Sequence, residues 1–244
     1  MRRRFFVERF HDGAAVLGGD AAHHLGRVLR AEPGQLYELS DGQAVWLART
    51  KAVVRDSIEF ELVEQIPARE PRVRVALLLA IVKFDRMEWA LEKATELGAD
   101  EIIPLSAARC EKGLIAAAAK RAARWEKILL ESAQQSRRLR VPILRAEAKP
   151  ADAFGSVDAQ SRILLSERES APLLRQVLPG DKDSARAQAL ASVALAVGPE
   201  GGWTDAEFLA ARDAGFAEAS LGPGILRTET AVCAALAAIR FALE

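Results

Sequence analysis

The sequence predicts an α/β fold, a mostly parallel sheet covered on both faces by helices, preceded by a smaller and mainly β segment. Three observations lead there. After Arg72, strand-like apolar runs alternate with helical patterns to the C-terminus, the arrangement that builds parallel sheets. The run Val73–Val82 is apolar with no two-residue alternation, as expected of a strand buried on both faces. Before it, the polar stretch Pro67–Arg72 carries two prolines and separates two composition regimes, which places a domain boundary there.

Taken in order, the N-terminal part offers a short helix over Ala21–Leu29, ended near Gly34. Strands follow at Gln35–Ser40, Gln43–Val54 and Ser57–Ile66, with Asp41-Gly42 as a hairpin turn. Beyond the boundary, Asp85 and Glu88 resemble a capping box. Met87, Ala90, Leu91, Ala94 and Leu97 share one helical face before Gly98. Glu101–Leu105 reads as a strand, and a long helix spans roughly Ala117–Arg138. Further strands are expected at Val141–Arg145, Arg162–Ser166 and Ser192–Val197, and Asp181–Gln188 as a surface loop or insertion. Thr204 and Glu207 form a second capping-box pattern, opening a helix that stops at Gly215. Ala219–Leu221 is a short strand. The final helix, Thr228–Leu243, has no charged residue across Ala231–Ile239, which predicts burial on all sides. Thr228 is expected to cap it.

Composition narrows the function classes. Half of the 244 residues are hydrophobic and Lys+Arg equals Asp+Glu at 34 each, ordinary for a globular protein. The basic start MRRRFFVERF lacks a long apolar segment after it, and no run is long enough to span a bilayer. Cys110 and Cys233 stand far apart without a CxxC pair, which fits a reducing, cytoplasmic setting and gives neither a disulfide framework nor a zinc site. The neutral total hides two basic regions. Six arginines lie within Met1–Arg30 against Glu8, Asp12 and Asp20. Eight basic residues lie within Lys120–Arg145 against Glu126 and Glu131. Such clusters attract phosphates, or else form solvated helix faces.

The chemistry concentrates in two strand-to-loop transitions: Gly198-Pro199-Glu200-Gly201-Gly202-Trp203 after one apolar strand, and Leu221-Gly222-Pro223-Gly224-Ile225-Leu226-Arg227-Thr228-Glu229-Thr230 after another. Ligands of open α/β sheets bind beyond the carboxyl ends of strands, and glycines let a backbone approach a flat ligand closely. A phosphate-binding GxxxxGK[ST], a GxGxxG and a GxSxG elbow are all absent, and His11, His23 and His24 lie in the N-terminal part. No His/Asp/Glu spacing in the α/β part looks like a metal-ligand set.

These two loops resemble those of the SPOUT superfamily of knotted methyltransferases, and within it the ribosomal RNA small subunit methyltransferase E family. His24–Arg30, Arg86–Gly98 and Gln134–Pro142 are similar to that family as well, so the resemblance spans nearly the whole chain. It implies a PUA-like β-barrel for RNA binding over residues 1–68. It also implies a SPOUT domain with a C-terminal trefoil knot over residues 73–244, and a homodimer as working unit. The implied reaction is methylation of N3 of a uridine in 16S rRNA, free or in the 30S subunit, with S-adenosyl-L-methionine as methyl donor and no metal. Gly224 departs from the pattern, which would place a basic residue there.

On this reading the cofactor is held by Ser166, Glu167, Gly198, Pro199, Glu200, Gly201, Gly202, Leu221, Gly222, Ile225, Leu226 and Thr230. Arg227 stabilises charge near the uracil carbonyls, or pairs with Glu229 to hold the loop. Glu229 and Glu200 are the candidate bases, with Glu200 alternatively stabilising a turn. Phosphate contacts fall to Arg2, Arg3, Arg4, His23, His24, Arg27 and Arg30 on one domain and to Arg137, Arg138 and Arg140 on the other. His23 and His24 alternatively form a solvated helix start. The competing functions are a non-catalytic ribosome-assembly factor and a SPOUT methyltransferase acting on another RNA or base atom.

Overall fold

A computed structural model describes residues 3–68, 70–178 and 189–244. The expected surface loop at Asp181–Gln188 lies outside them. The chain divides into two compact units. One runs up to Glu70 and takes in Ala133–Val141; the other is Pro71–Ser132 with Pro142–Glu244.

In the first unit, β1 (Arg4–Phe6), β2 (Ala14–Gly18), β3 (Leu36–Ser40), β4 (Val45–Val53) and β5 (Ser57–Ile66) form one sheet in the order β1-β3-β4-β5-β2. Only β1 and β3 run parallel. Period-two alternation decides the buried face: Ile58 and Phe60 are fully buried while Glu59 and Glu61 point outward. Phe5, Leu17, Leu25 and Leu39 complete that core. Tyr37 meets Phe5 and Phe60 edge-on, with ring centroids 5.8 and 6.2 Å away. The Asp41 carboxylate accepts from the Gln43 and Ala44 amides at 2.9 and 2.8 Å, and Gly42 takes φ +85°, so this turn is fixed locally. The expected short helix is instead α1 (Gly19–His23) continued by a π-helical turn, His24–Val28.

Ala133–Val141 is tied to this unit by polar bonds, and Ala133 and Leu139 are buried. The Ser40 hydroxyl donates to the Leu139 carbonyl at 2.7 Å, and Arg140 Nε donates to the Gly42 carbonyl at 2.5 Å. The division therefore differs from a single cut at Pro67–Arg72. No local sequence signal marks a segment that returns to an earlier unit.

The second unit carries a six-stranded, all-parallel sheet in the order β11-β9-β10-β6-β7-β8. Its strands are β6 (Arg74–Ala80), β7 (Glu101–Leu105), β8 (Ile143–Leu144), β9 (Ser161–Leu165), β10 (Ser192–Val197) and β11 (Ala217–Ala219). Its helices are α2 (Phe84–Glu96), α3 (Lys112–Ala118), α4 (Ala122–Gln135), α5 (Pro150–Ser156), α6 (Leu174–Val177), α7 (Asp205–Asp213) and α8 (Thr228–Leu243). Leu77–Ala80 of β6 and Val193–Ala196 of β10 are wholly buried, as their unbroken apolar runs require. No described helix is long and apolar enough to cross a membrane.

Four expectations need correction. The long helix is broken into α3, a 3₁₀ turn at Ala119–Arg121, and α4. Asp85 and Glu88 do not cap α2. Lys83 occupies the cap position without a side-chain bond, and Glu88 binds Arg124 at 2.7 Å instead. Thr228 does not cap α8; Arg227 stands at that position. Nor is α8 buried all round. Val232, Ala235, Leu236, Ile239 and Leu243 face inward, whereas Phe241 is 93 % exposed. An uncharged helix permits burial on every side, but the spacing of its large residues decides which side is taken.

Candidate cofactor site

Three loops leave the carboxyl ends of the adjacent strands β10, β9 and β11 and enclose one cavity of about 570 Å³. The β9 loop contributes Leu165–Arg168, the β10 loop Val197–Trp203, and the β11 loop Ser220–Thr228. The two glycine-bearing loops thus sit side by side. They are also tied together, since Thr228 Oγ1 donates to the Gly198 carbonyl at 3.2 Å.

The floor is aromatic. Trp203 is buried, its indole N–H donates to the Leu165 carbonyl at 3.0 Å, and its ring packs edge-on against Phe154. Gly198 lies directly on that ring, where an added Cβ would come within 3.0 Å of it. Any larger residue at 198 would have to push the ring or the loop aside, so packing favours glycine there whatever ligand is held. The following helix is set by a capping box that both partners complete. Thr204 Oγ1 accepts from the Glu207 amide, and Glu207 Oε2 accepts from the Thr204 amide at 2.8 Å.

Glu207 does more than cap. Its other oxygen accepts from the Ala108 amide at 2.8 Å, and the neighbouring Arg109 reaches the cavity and donates to the Gly201 carbonyl at 2.7 Å. A buried carboxylate so anchors a fourth loop, the one that follows β7, over the first glycine loop. Glu207→Ala should cost about 2 kcal/mol, because a cap and the partner of the Ala108 amide are lost together. Chemical denaturation measures that loss, and hydrogen exchange at Ala108 and Arg109 should accelerate; unaltered exchange there would contradict the anchor.

Of the expected cofactor residues, Ser166, Glu167, Gly198, Pro199, Glu200, Gly201, Gly202, Leu221, Gly222, Ile225 and Leu226 line the cavity, as does Arg227. Thr230 does not; it is exposed on the first turn of α8. Glu229 lies off the wall, with Oε2 buried and without a hydrogen-bond partner. Its nearby cation is Arg86, whose Nε is 4.0 Å from Glu229 Oε1, and the same guanidinium forms an ion pair with Glu200 Oε1. Arg86, Arg109 and Arg168 were missed as cavity residues. Arg86 lies in a family-like stretch, but Arg109 and Arg168 carry no sequence signal. Arg168 stacks over the Phe208 ring, 3.5 Å from its centroid, and binds Asp205 at 2.7 Å.

Burial raises both cysteine thiols, and Cys110 is almost fully buried, which suits core residues. Among the described residues, no group of three His, Cys, Asp or Glu could hold a metal.

The basic residues divide. Arg3, His23, Arg27 and Arg30 are exposed and His24 is half-buried; Arg2 lies outside the described residues. Arg4 is not a phosphate contact. It is 8 % exposed, pairs with Glu38 at 2.9 Å and donates to the Arg137 carbonyl at 2.5 Å. Strand β1 buries Arg4 beside β3, so its charge is consumed internally. Arg137 approaches Glu38 at 3.5 Å and Arg140 binds Glu70 at 2.7 Å, both partly exposed; Arg138 is half-buried. These three belong to the unit that holds the N-terminal arginines, not to the other one.

A parallel sheet with three loops, two of them glycine-bearing, over the ends of adjacent strands defines an α/β domain of the RNA methyltransferase type, and the RNA methyltransferase domain family matches residues 69–240. Ribosomal RNA small subunit methyltransferase E of Mycobacterium tuberculosis is 34% identical over 244 residues, covering 96% of this chain and 90% of the relative. The chain belongs to the ribosomal RNA small subunit methyltransferase E family. Two solved structures share its fold across 99% of this chain and 98% of theirs. A putative methyltransferase from Legionella pneumophila with bound cofactor SAM superposes with a TM-score of 0.85 at 28% identity. The Neisseria gonorrhoeae ribosomal RNA small subunit methyltransferase E bound to S-adenosyl methionine does so with 0.84 at 30%.

Proposed function

We propose that this chain transfers a methyl group from S-adenosyl-L-methionine to N3 of a uridine in 16S rRNA of the small ribosomal subunit. The observation that carries this reading is the cavity made by the two glycine loops and the β9 loop. Its volume suits a ligand of nucleoside size. The main chain at Gly198–Gly202 and Leu221–Gly222, on the cavity wall, can bond an adenine edge and an amino-acid tail. Ile225, 81 % exposed on the rim, offers apolar surface to cover a ring. Relatives of the same fold hold this cofactor.

S-adenosylmethionine supplies an electrophilic methyl on a positively charged sulfur. The protein binds the cofactor and base and orients N3 toward that methyl, which is the main gain in a displacement. N3 is a weak nucleophile while protonated. Arg227 lines the cavity, is exposed and is unbound to Glu229, which supports a role in stabilising negative charge on the uracil. Glu200 is held by Arg86 and Glu229 stands off the wall. In this reading the N3 proton therefore passes to solvent water rather than to either carboxylate.

Exposed Arg3, His23, Arg27 and Arg30, with His24, Arg137, Arg138 and Arg140, are the proposed phosphate contacts, on a PUA-like first unit. The same reading includes a trefoil knot in the second unit, a homodimer and a cytoplasmic setting. The dimer draws support from the open face of α8, where Ala234, Ala237, Ala238 and Phe241 recur at helical spacing.

The test is labelled-methyl transfer to 16S rRNA, free and in 30S particles, with mass-spectrometric mapping of the product. Arg227→Ala should slow it about 100-fold. A chain that fails to bind S-adenosylmethionine in calorimetry would instead be a non-catalytic assembly factor. A label on another RNA or base atom would redirect the specificity.

A further inference from the structure

Arg86 stands in the first turn of α2 with three-quarters of its side chain buried, and it meets carboxylates from two other parts of the site. Arg86 and Glu200 both line the cavity, whereas Glu229 lies behind the wall. The Glu200 side chain remains 46 % exposed despite its ion pair. The other charged groups on the wall are Arg109, Glu167, Arg168, Asp205 and Arg227, and Arg168 already answers Asp205.

We propose that Arg86 is a positioning residue whose charge neutralises Glu200 inside the cavity, so that the pocket does not grip a cationic ligand in preference to its neutral product. The assignment rests on the cofactor reading above. When the methyl carbon leaves sulfur, the S–C electron pair stays on sulfur and the positive charge disappears. The new N–C bond uses the nitrogen pair left when the N3 proton passes to water. Positive charge on the ligand is thus full before the step and fading during it. An unpaired carboxylate on the wall stabilises the ground state more than the transition state, and only interactions that strengthen in the transition state speed the step. At the reduced dielectric of a cavity wall, an unscreened unit charge changes affinity severalfold even at a distance of several ångströms. Arg86 removes that imbalance, held in place by Glu200 on one side and Glu229 on the other.

The experiment compares binding of S-adenosylmethionine and S-adenosylhomocysteine by calorimetry, with single-turnover methyl transfer alongside, in the full chain. Arg86→Gln leaves a shorter polar side chain and drops the charge. It should shift the affinity ratio toward S-adenosylmethionine by about tenfold and slow transfer by a similar factor. Arg86→Lys should hold the ratio within about twofold of the unaltered chain, because the charge remains. Adding Glu200→Gln to Arg86→Gln should return the ratio to its starting value and bring the rate to that of Glu200→Gln alone. If both ligands weaken equally in Arg86→Gln, or the second substitution rescues nothing, Arg86 only braces the loops and the proposal is overturned. An unaltered chain that binds neither ligand fails the functional reading itself, whereas normal binding with an unmoved ratio sinks this assignment alone.

Discussion

Trp203→Ala lowers the unfolding free energy of the second unit by about 3–5 kcal/mol, the usual cost of truncating a large buried aromatic. Three losses combine. The ring is 5 % exposed, so its removal leaves a cavity beneath the first glycine loop. The Leu165 carbonyl loses its indole donor at 3.0 Å. Phe154, which also packs on Phe216 with centroids 4.9 Å apart, loses its other aromatic neighbour. Against a domain stability of about 5–15 kcal/mol the variant is marginal. The effect on binding goes further than the effect on stability. Gly198 rests on this ring, so the backbone that lines the cavity loses its support. Thermal unfolding with and without S-adenosylmethionine reads both. Trp203→Phe should recover part of the melting temperature while still lacking the bond to Leu165. A Trp203→Ala protein that melts as the unaltered chain does would show that the ring does not carry the loop.

Arg4→Ala should destabilise the first unit by about 3–5 kcal/mol while leaving the salt dependence of RNA binding unchanged. The Arg4 and Glu38 side chains are 10% and 9% exposed, and Arg4 holds Glu38 Oε2 through both Nε and Nη2. Removing the guanidinium leaves the buried carboxylate to its longer contact with Arg137 at 3.5 Å and frees the Arg137 carbonyl that Arg4 also binds. The contrast is Arg27→Ala, an exposed side chain expected to cost little stability but to reduce the slope of log affinity against log salt by about one. A normal melting curve for Arg4→Ala combined with a reduced salt slope would reverse these assignments and return Arg4 to the RNA surface.

Much of the site was legible because its determinants are local. Thr204 and Glu207 sit three residues apart, and their reciprocal bonds form as the spacing demands. The glycine loops follow apolar strands, and the parallel sheet places both beyond strand ends. The strands β7, β10 and the helix α8 begin and end where their patterns do. Two short helices, α5 and α6, went unread because four to seven residues offer too little periodicity. The break in the long helix at Ala119–Arg121 leaves no trace either, since Ala, Lys and Arg all favour the α-helix.

What the sequence by itself determined was the order and kind of the main elements, the loops that hold a ligand and the family to which they belong. Tertiary structure alone decided where the charges go. Arg4 meets a partner 34 residues away and Arg109 a carbonyl 92 residues away; Arg86 faces Glu200 of the first glycine loop and Glu229 of the first turn of α8, which only the folded sheet brings together. A hydrogen bond in a cap or turn is fixed by torsion angles within a few residues. The partner of a long charged side chain depends on distances that exist only after distant strands have paired. For that reason one N-terminal arginine is buried, and Glu200 and Glu229 share a single arginine as neighbour.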